Sequence, residues 1–187
     1  MKRTRVLFLA WCVWIVSAGA TTLARLDLDD LTGESSAVVH GKIVASRVEW
    51  NRDRTLIYTV YSVAPVEYLK GRLGPTFELH EPGGTLDGIQ LSVSGVPSFS
   101  VGQEAVLFVW TDPRGQHQVT GFEQGVFAVR TDSQTGLKVV DRAIRLGSAR
   151  TAGPAASPSS RILLQFFDQI RSSAAKVRQP EETGATR

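Results

Sequence analysis

The clearest pattern of apolar and polar positions in this 187-residue chain runs from residue 81 to residue 110. Within it, residues 89–94 alternate strictly between apolar and polar side chains, a period of two that is typical of a strand with one face in solvent. Residues 105–110 form an uninterrupted apolar run that ends before an Asp-Pro pair, which predicts a strand buried on both faces. The core-facing side chains expected in the alternating strand are Ile89, Leu91 and Val93.

Further strands are predicted on both sides of that stretch. Residues 37–50 are rich in β-branched side chains and contain Gly41, which indicates a bulge or a bend. The other predicted strands cover residues 55–69, 76–81, 119–122, 125–130 and 138–141. About eight short strands separated by turn residues favour an all-β fold over residues 21–146, either an OB-like barrel or a small sandwich.

Two helices are predicted at the ends of this β domain. Residues 21–36 carry leucines at a loosely helical spacing with acidic residues near the front, which predicts a short N-terminal helix. Residues 161–177 predict an amphipathic helix after Ser160, a residue type that suits an N-cap. The apolar side chains that define the face of this helix are Ile162, Leu163, Phe166, Phe167 and Ile170.

The segments around the C-terminal helix have a different composition. Residues 147–160 are almost entirely Gly, Ala, Ser, Pro and Thr, which is typical of a flexible linker, and the polar tail at residues 178–187 is expected to be disordered. We expect the helix to dock on the barrel, because its apolar side chains would otherwise form a large exposed patch. A partner protein or an anionic membrane surface is the alternative, since the helix also carries basic residues.

The N-terminus has the features of a secretory signal peptide. Lys2, Arg3 and Arg5 precede an apolar run at residues 6–16, and small residues follow up to Ala20. Cleavage after Ala20 is therefore expected, with residues 1–20 as the signal peptide. The apolar run is too short for the ~20 residues that span a bilayer, so no transmembrane span is expected after cleavage. These features predict an exported protein, periplasmic or extracellular.

Charge and cysteine content narrow the class of partner. The 21 basic residues include the three in the signal peptide, so the mature chain has 18 basic and 18 acidic residues. A formally neutral protein is not expected to bind nucleic acid. The single cysteine, Cys12, also lies in the signal peptide, so the mature protein has no disulfide. The absence of cysteine and of glycosylation acceptors favours a bacterial protein.

The sequence contains no motif of a known catalytic or metal site. His40, His80 and His117 fall on three different predicted elements, and the Pro-Gly-Gly after Glu81 excludes a zinc-binding HExxH helix. No serine lies in a nucleophile elbow, and no glycine-rich loop opens a helix that would bind phosphate. We therefore predict no catalytic residue, metal ligand or cofactor. An exported hydrolase, with a site assembled across the sheet from His40, His80 and an acid such as Glu78, is left open.

Aromatic residues and turns supply the candidate binding surface. Aromatic side chains on the first long hairpin are positioned to stack on a ligand. The glycine- and proline-containing turns at residues 82–84 and 95–97 frame the central stretch and are exposed in the predicted fold. The candidate binding residues are Trp50, Tyr58, Pro82, Gly83, Gly84, Gly95 and Pro97.

Three segments, residues 36–44, 66–71 and 101–108, resemble in the same order a group of short exported bacterial proteins without an assigned activity. More distantly they resemble the OB-type barrel of the netrin-like module, shared with tissue inhibitors of metalloproteinases. The resemblance implies a barrel and adds an inhibitor or accessory partner of a secreted metalloprotease as an alternative. Those inhibitors chelate zinc through an N-terminal cysteine, whereas the mature chain begins near Thr21 without one. The expected function is a non-enzymatic module that binds a protein or cell-envelope ligand.

Overall fold

The fold was analysed in a computed structural model that describes residues 25–142 and 161–178. The predicted signal peptide, the linker with Ser160, and residues 179–187 of the predicted tail lie outside the described residues. Two α-helices and a short 3-10 helix accompany the strands: α1 (Leu28–Glu34), the 3-10 helix (Phe122–Gly125) and α2 (Leu163–Arg178). The strands are β1 (Ala37–Trp50), β2 (Ile57–Lys70), β3 (Phe77–Pro82), β4 (Gly84–Leu86), β5 (Ile89–Leu91), β6 (Glu104–Thr111), β7 (His117–Val119), β8 (Val126–Thr131), β9 (Lys138–Arg142) and β10 (Arg161–Ile162).

Five of the strands close a small barrel. Their order is β1-β2-β3-β7-β6, and β6 returns to pair with β1, so each barrel strand has two neighbours. All these pairings are antiparallel except that of β3 with β7. Strands β8, β9 and β10 extend the sheet from β6. The all-β prediction with two helices and an OB-like barrel is therefore confirmed, although ten short strands replace the expected eight or so in the described residues.

The bend predicted at Gly41 is present in β1. The pairing of β1 with β2 shifts between His40 and Gly41, and Gly41 lies opposite Pro65. A Cβ atom on Gly41 would lie 2.9 Å from Cγ1 of Val63, so the position requires glycine for close approach of the two strands. Because Pro65 lies beyond the part of β2 that pairs with β3, its missing N–H breaks no bond on that side.

Strand β6 separates two hydrophobic cores. Residues 105, 107 and 109 point into the barrel, where they pack with side chains of β1, β2, β3 and β7. Val106 and Phe108 point outward and pack with Leu31 of α1 and with α2. The prediction of a strand buried on both faces is confirmed for residues 105–109. It is wrong for Trp110, which is 42% exposed.

Helix α2 docks on the barrel, as expected. Leu163, Phe166, Phe167 and Ile170 are buried against the outer face of the sheet. The prediction that the helix begins at residue 161 is wrong, since Arg161 and Ile162 pair with β9 as a short strand and leave Ile162 36% exposed. The helix ends at Arg178, one residue later than predicted. In the described residues, no helix is both long and apolar enough to span a bilayer.

The stretch between β3 and β6 differs from its prediction. β4 and β5 form a separate two-stranded sheet, joined by Asp87 (φ 53°) and Gly88 (φ 78°). Two successive positive φ angles at Asp-Gly are typical of a type I′ hairpin. This hairpin lies outside the main sheet. Ile89 is 53% and Val93 38% exposed, so their predicted burial is wrong, whereas Leu91 is half-buried.

Two other element bounds are corrected. The predicted strand at residues 119–122 lies earlier in the chain, because β7 ends at Val119 and a 3-10 helix begins at Phe122. The predicted N-terminal helix is confined to α1, which begins after Asp27. The Asp27 carboxylate accepts a hydrogen bond from the backbone N–H of Asp30 at 2.8 Å, and the Asp30 carboxylate accepts one from Asp27 at 3.1 Å. This capping box starts the helix at that position.

Candidate functional site

Most of the predicted binding residues lie together at one end of the first hairpin. Tyr58 pairs with Pro82 across β2 and β3, and the backbone N–H of Gly83 donates to the carbonyl of Ile57 at 2.8 Å. A Cβ atom on Gly84 would lie 2.8 Å from Cγ1 of Val48. The residues brought together at this end are Trp50, Tyr58, Pro82, Gly83 and Gly84. Trp50 donates its indole N–H to Asp87 of the β4–β5 turn at 2.9 Å.

The two remaining predicted residues belong to the loop between β5 and β6. The Gly95 carbonyl accepts a hydrogen bond from the backbone N–H of Glu123 at 2.9 Å, and Gly95 also packs near the Phe122 side chain. Pro97 is buried, so its side chain packs within the loop rather than facing a ligand. Gly95 thus lies beside the 3-10 helix, on a different part of the barrel from the β1–β2 hairpin tip.

A cavity of about 630 Å³ lies between these two groups of residues. It opens where β3 ends, beside β7 and the turn that leads into the 3-10 helix. Of the predicted binding residues, only Pro82 contributes to its lining. The lining consists of Glu34, Glu81, Pro82, Val93, Trp110, Gln118, Val119, Thr120, Gly121 and Phe122. We call this space the Glu81 cavity.

Glu81 is the buried ionisable group of the cavity. It follows Phe77 and Leu79 at every second position of β3, so its side chain lies on the face of the strand that points into the barrel. It is 3% exposed, and its carboxylate accepts a hydrogen bond from the backbone N–H of Val119 at 2.8 Å. Burial raises the pKa of Glu81 to about 7, and the hydrogen bond only partly opposes that shift. A buried carboxyl that titrates near neutrality is typical of functional sites.

Three large apolar side chains at the cavity are left partly in solvent. Val93 and Phe122 are each 38% exposed, and Trp110 is 42% exposed. Phe122 also has a positive φ of 59°, next to Gly121 at 66°. A left-handed conformation is unfavourable for an aromatic residue and is found where the surrounding structure imposes it. The cavity is therefore a preformed apolar site with one buried carboxyl, the usual composition of a ligand pocket.

Sequence reasoning missed Glu81 and all three of these apolar residues as members of the site. Glu81 was recognised as one step in the alternation of β3, and its position on the core side of that strand was the available signal. Val93 and Trp110 were predicted to be buried. No local sequence pattern marked Phe122 as a site residue, because its position at the cavity depends on the turn after β7.

His40 and His80 do not lie together. His40 is buried, its Nε2 lies 2.6 Å from Oε1 of Glu104, and its ring packs against Phe167 of α2. His40 pairs with Glu67 of β2 whereas His80 pairs with Val60. These partners are seven residues apart along β2, a separation of roughly 20 Å. The site from His40 and His80 on which the hydrolase alternative depends is therefore not assembled.

The described residues contain no cluster of three or more His, Cys, Asp or Glu side chains that would hold a metal ion. Comparison with known protein families gives no matching family model, and no curated protein matches the chain significantly. The geometry of the site is therefore the basis on which a function is proposed.

Proposed function

We propose that this chain is an exported, non-enzymatic binding module that takes an apolar group of its ligand into the Glu81 cavity. The observation that carries this proposal is the cavity itself: about 630 Å³ of space with a mainly apolar lining, in which Trp110, Phe122 and Val93 remain partly exposed. Burial of such side chains by a ligand removes apolar area from water, which stabilises a complex by ~25 cal/mol per Å² before the costs of association.

The charges of the lining indicate which charge the ligand carries beside its apolar group. Glu34 and Glu81 are the ionisable side chains of the lining, which contains no Lys, Arg or His. A ligand with a positive charge on an apolar body therefore fits better than an anionic one. The aromatic rings of Trp110 and Phe122 add to this preference, because cations are attracted to aromatic faces.

Three small probes of one shape and different charge test the proposal. These are 2-phenylethylamine, 2-phenylethanol and 3-phenylpropionate, each titrated into the purified processed protein above the pKa of Glu81. The readout is the NMR signal of the Trp110 indole N–H, with the Trp50 indole as an internal reference outside the cavity lining. We expect affinities on the order of 1 mM, with the amine bound about tenfold more tightly than the acid.

Substitution of Glu81 separates the charge preference from the cavity. Glu81→Gln should abolish the preference for the amine and retain binding of the alcohol, since the glutamine keeps the volume of the side chain. Trp110→Ala should weaken all three probes, and the matched control Leu164→Ala, an exposed apolar residue of α2, should weaken none. If no probe shifts the Trp110 signal, or if amine and acid bind equally, the proposal is wrong.

A further inference from the structure

A second pocket, on the side of the sheet that carries α2, has the opposite charge. It has a volume of about 400 Å³ and is bounded by the chain that precedes α1, by β8 and β9, and by the start of β10. Arg25, Arg142 and Arg161 all line it, and we call it the arginine pocket. The single carboxylate in its lining, Asp27, already accepts the N-cap hydrogen bond of α1.

The three arginines lack the carboxylate partners that four other arginines of the described residues have. Arg47 bonds to Glu78, Arg130 to Asp141 and Arg171 to Glu67. For Arg25, Arg142 and Arg161 the described part of the chain provides no ion pair. An arginine fork presents several donors that fit the oxygens of an anion, and here three arginines line one pocket with a single carboxylate, Asp27.

Arg142 lines the pocket and has one hydrogen-bond donor without a partner in the described residues. Its Nη2 donates to the carbonyl of Leu26 at 3.2 Å, but its Nε is buried and has no hydrogen-bond partner in the described residues. Burial, with repulsion from Arg25 and Arg161, lowers the pKa of Arg142. A buried donor on a charged group without a partner is unusual and requires an explanation. An anion bound in the pocket would neutralise the repulsion among the three guanidiniums.

The positions of Arg142 and Arg161 are fixed by packing. The Arg142 guanidinium lies 5.5 Å from the centre of the Phe127 ring, and that of Arg161 lies 5.8 Å from the centre of the Phe166 ring. Nη1 of Arg161 also donates to Gln169 of α2 at 3.1 Å. Stacking on aromatic faces pre-organises these guanidiniums and reduces the entropy lost on binding an anion.

We propose that the arginine pocket binds the phosphate group of a phosphate ester. A carboxylate offers two oxygens in one plane, whereas three forks from separate elements match the three or more oxygens of a tetrahedral anion. Leu26, Phe127 and Val140 form apolar walls beside the guanidiniums, which suit the organic part of an ester. The shared chemistry includes a soluble phosphate ester and the headgroup of an anionic phospholipid.

Calorimetric titration at low salt tests the assignment and separates the two sources. The probes are phenyl phosphate, inorganic phosphate and phenylacetate, and a parallel assay measures binding to phosphatidylglycerol and phosphatidylcholine vesicles. We expect phenyl phosphate to bind about tenfold more tightly than phenylacetate. Binding of phosphatidylglycerol vesicles in competition with phenyl phosphate identifies a lipid headgroup as the source. Binding of phenyl phosphate without vesicle binding identifies a soluble ester.

Substitution of two exposed arginines of the pocket tests their role in binding, and substitution of an exposed arginine elsewhere is the control. The double variant Arg25→Gln/Arg161→Gln should lower phosphate ester affinity at least about tenfold. Arg114→Gln, an exposed arginine in the β6–β7 turn, should leave it unchanged. Because the double variant removes like charges near Arg142, its melting temperature should equal or exceed that of the parent protein. Phenyl phosphate should raise the melting temperature of the parent only.

Three results would overturn the assignment. These are absence of binding to any phosphate probe or vesicle, equal affinity for phenylacetate and phenyl phosphate, and binding that the double variant retains in full. Each can be read independently of the Glu81 cavity, since the two pockets share no lining residue.

Discussion

The Glu81 cavity and the arginine pocket differ both in charge and in how the chain builds them. The cavity is lined mainly by neighbouring barrel strands and the turn after β7, and its buried charge is a carboxyl. The arginine pocket joins segments that are more distant along the chain, one before α1, one in β9 and one in β10, and its charges are guanidiniums. The first site is therefore built largely within the barrel, whereas the second requires the segments that precede α1 and α2 to lie beside β9.

The largest effect that separates the two sites is expected from Phe166→Ala. Phe166 is fully buried and its ring centre lies 4.6 Å from that of Phe127, so the truncation should destabilise the fold by about 3–5 kcal/mol. The loosened helix should weaken phenyl phosphate binding next to Arg161 and leave amine binding in the Glu81 cavity unchanged. Urea unfolding and the two titrations measure these effects.

Leu164→Ala is the control for that truncation. Leu164 is 69% exposed on the same helix, so its loss should change stability by less than about 0.5 kcal/mol. Equal loss of binding at both sites in Phe166→Ala would show that the barrel site also depends on α2.

The second largest effect concerns the pH dependence of stability. The pKa of Glu81 is about 7 in the folded protein against an ordinary value of 4.5, so the folded state retains this proton more strongly than the unfolded chain. The protein should therefore lose about 3 kcal/mol of unfolding free energy as pH rises from about 4.5 to about 7.

Glu81→Gln should remove that part of the pH dependence. Denaturant unfolding at several pH values compares the variant with the parent, and Glu34→Gln is the matched control at the exposed edge of the same cavity. A parent and a Glu81→Gln protein with parallel stability curves between these pH values would contradict the assignment of a buried proton to Glu81.

A smaller effect should couple the two sites. Gly121 lines the Glu81 cavity, and a Cβ atom there would lie 2.6 Å from Cδ1 of Leu26, a wall of the arginine pocket. Its φ of 66° is also unfavourable for other residues. Gly121→Ala should cost about 1–3 kcal/mol and weaken both the amine and the phosphate ester.

Gly115→Ala is the control that separates backbone strain at a positive φ from the steric clash with Leu26. Gly115 has φ 83° with no atom near the position of an added Cβ, so this variant retains the backbone strain alone. It should lose stability and keep both affinities. Loss of only one affinity in Gly121→Ala would show that the turn after β7 does not connect the sites.

Periodicity predicted the long strands well, since alternation and apolar runs directly report which faces are buried. Residues 37–50 match β1, and residues 105–109 are buried on both faces. Short strand β4 was missed, although Asp87-Gly88 is a strong local signal for its hairpin. The wrong predictions for Val93 and Trp110 have one cause. A pattern shows which side of a strand is apolar, but it does not show whether another layer covers that side.

Local sequence patterns were enough to predict the all-β class, the bend at Gly41 and the amphipathic face of the C-terminal helix, because each depends on residues that are near one another in the chain. The three-dimensional fold was needed to show that Glu81 is a buried carboxyl beside exposed apolar side chains. It also brought Arg25, Arg142 and Arg161 into one pocket. These arrangements depend on strand order and helix docking, which join residues more than a hundred positions apart and leave no local periodicity in the chain.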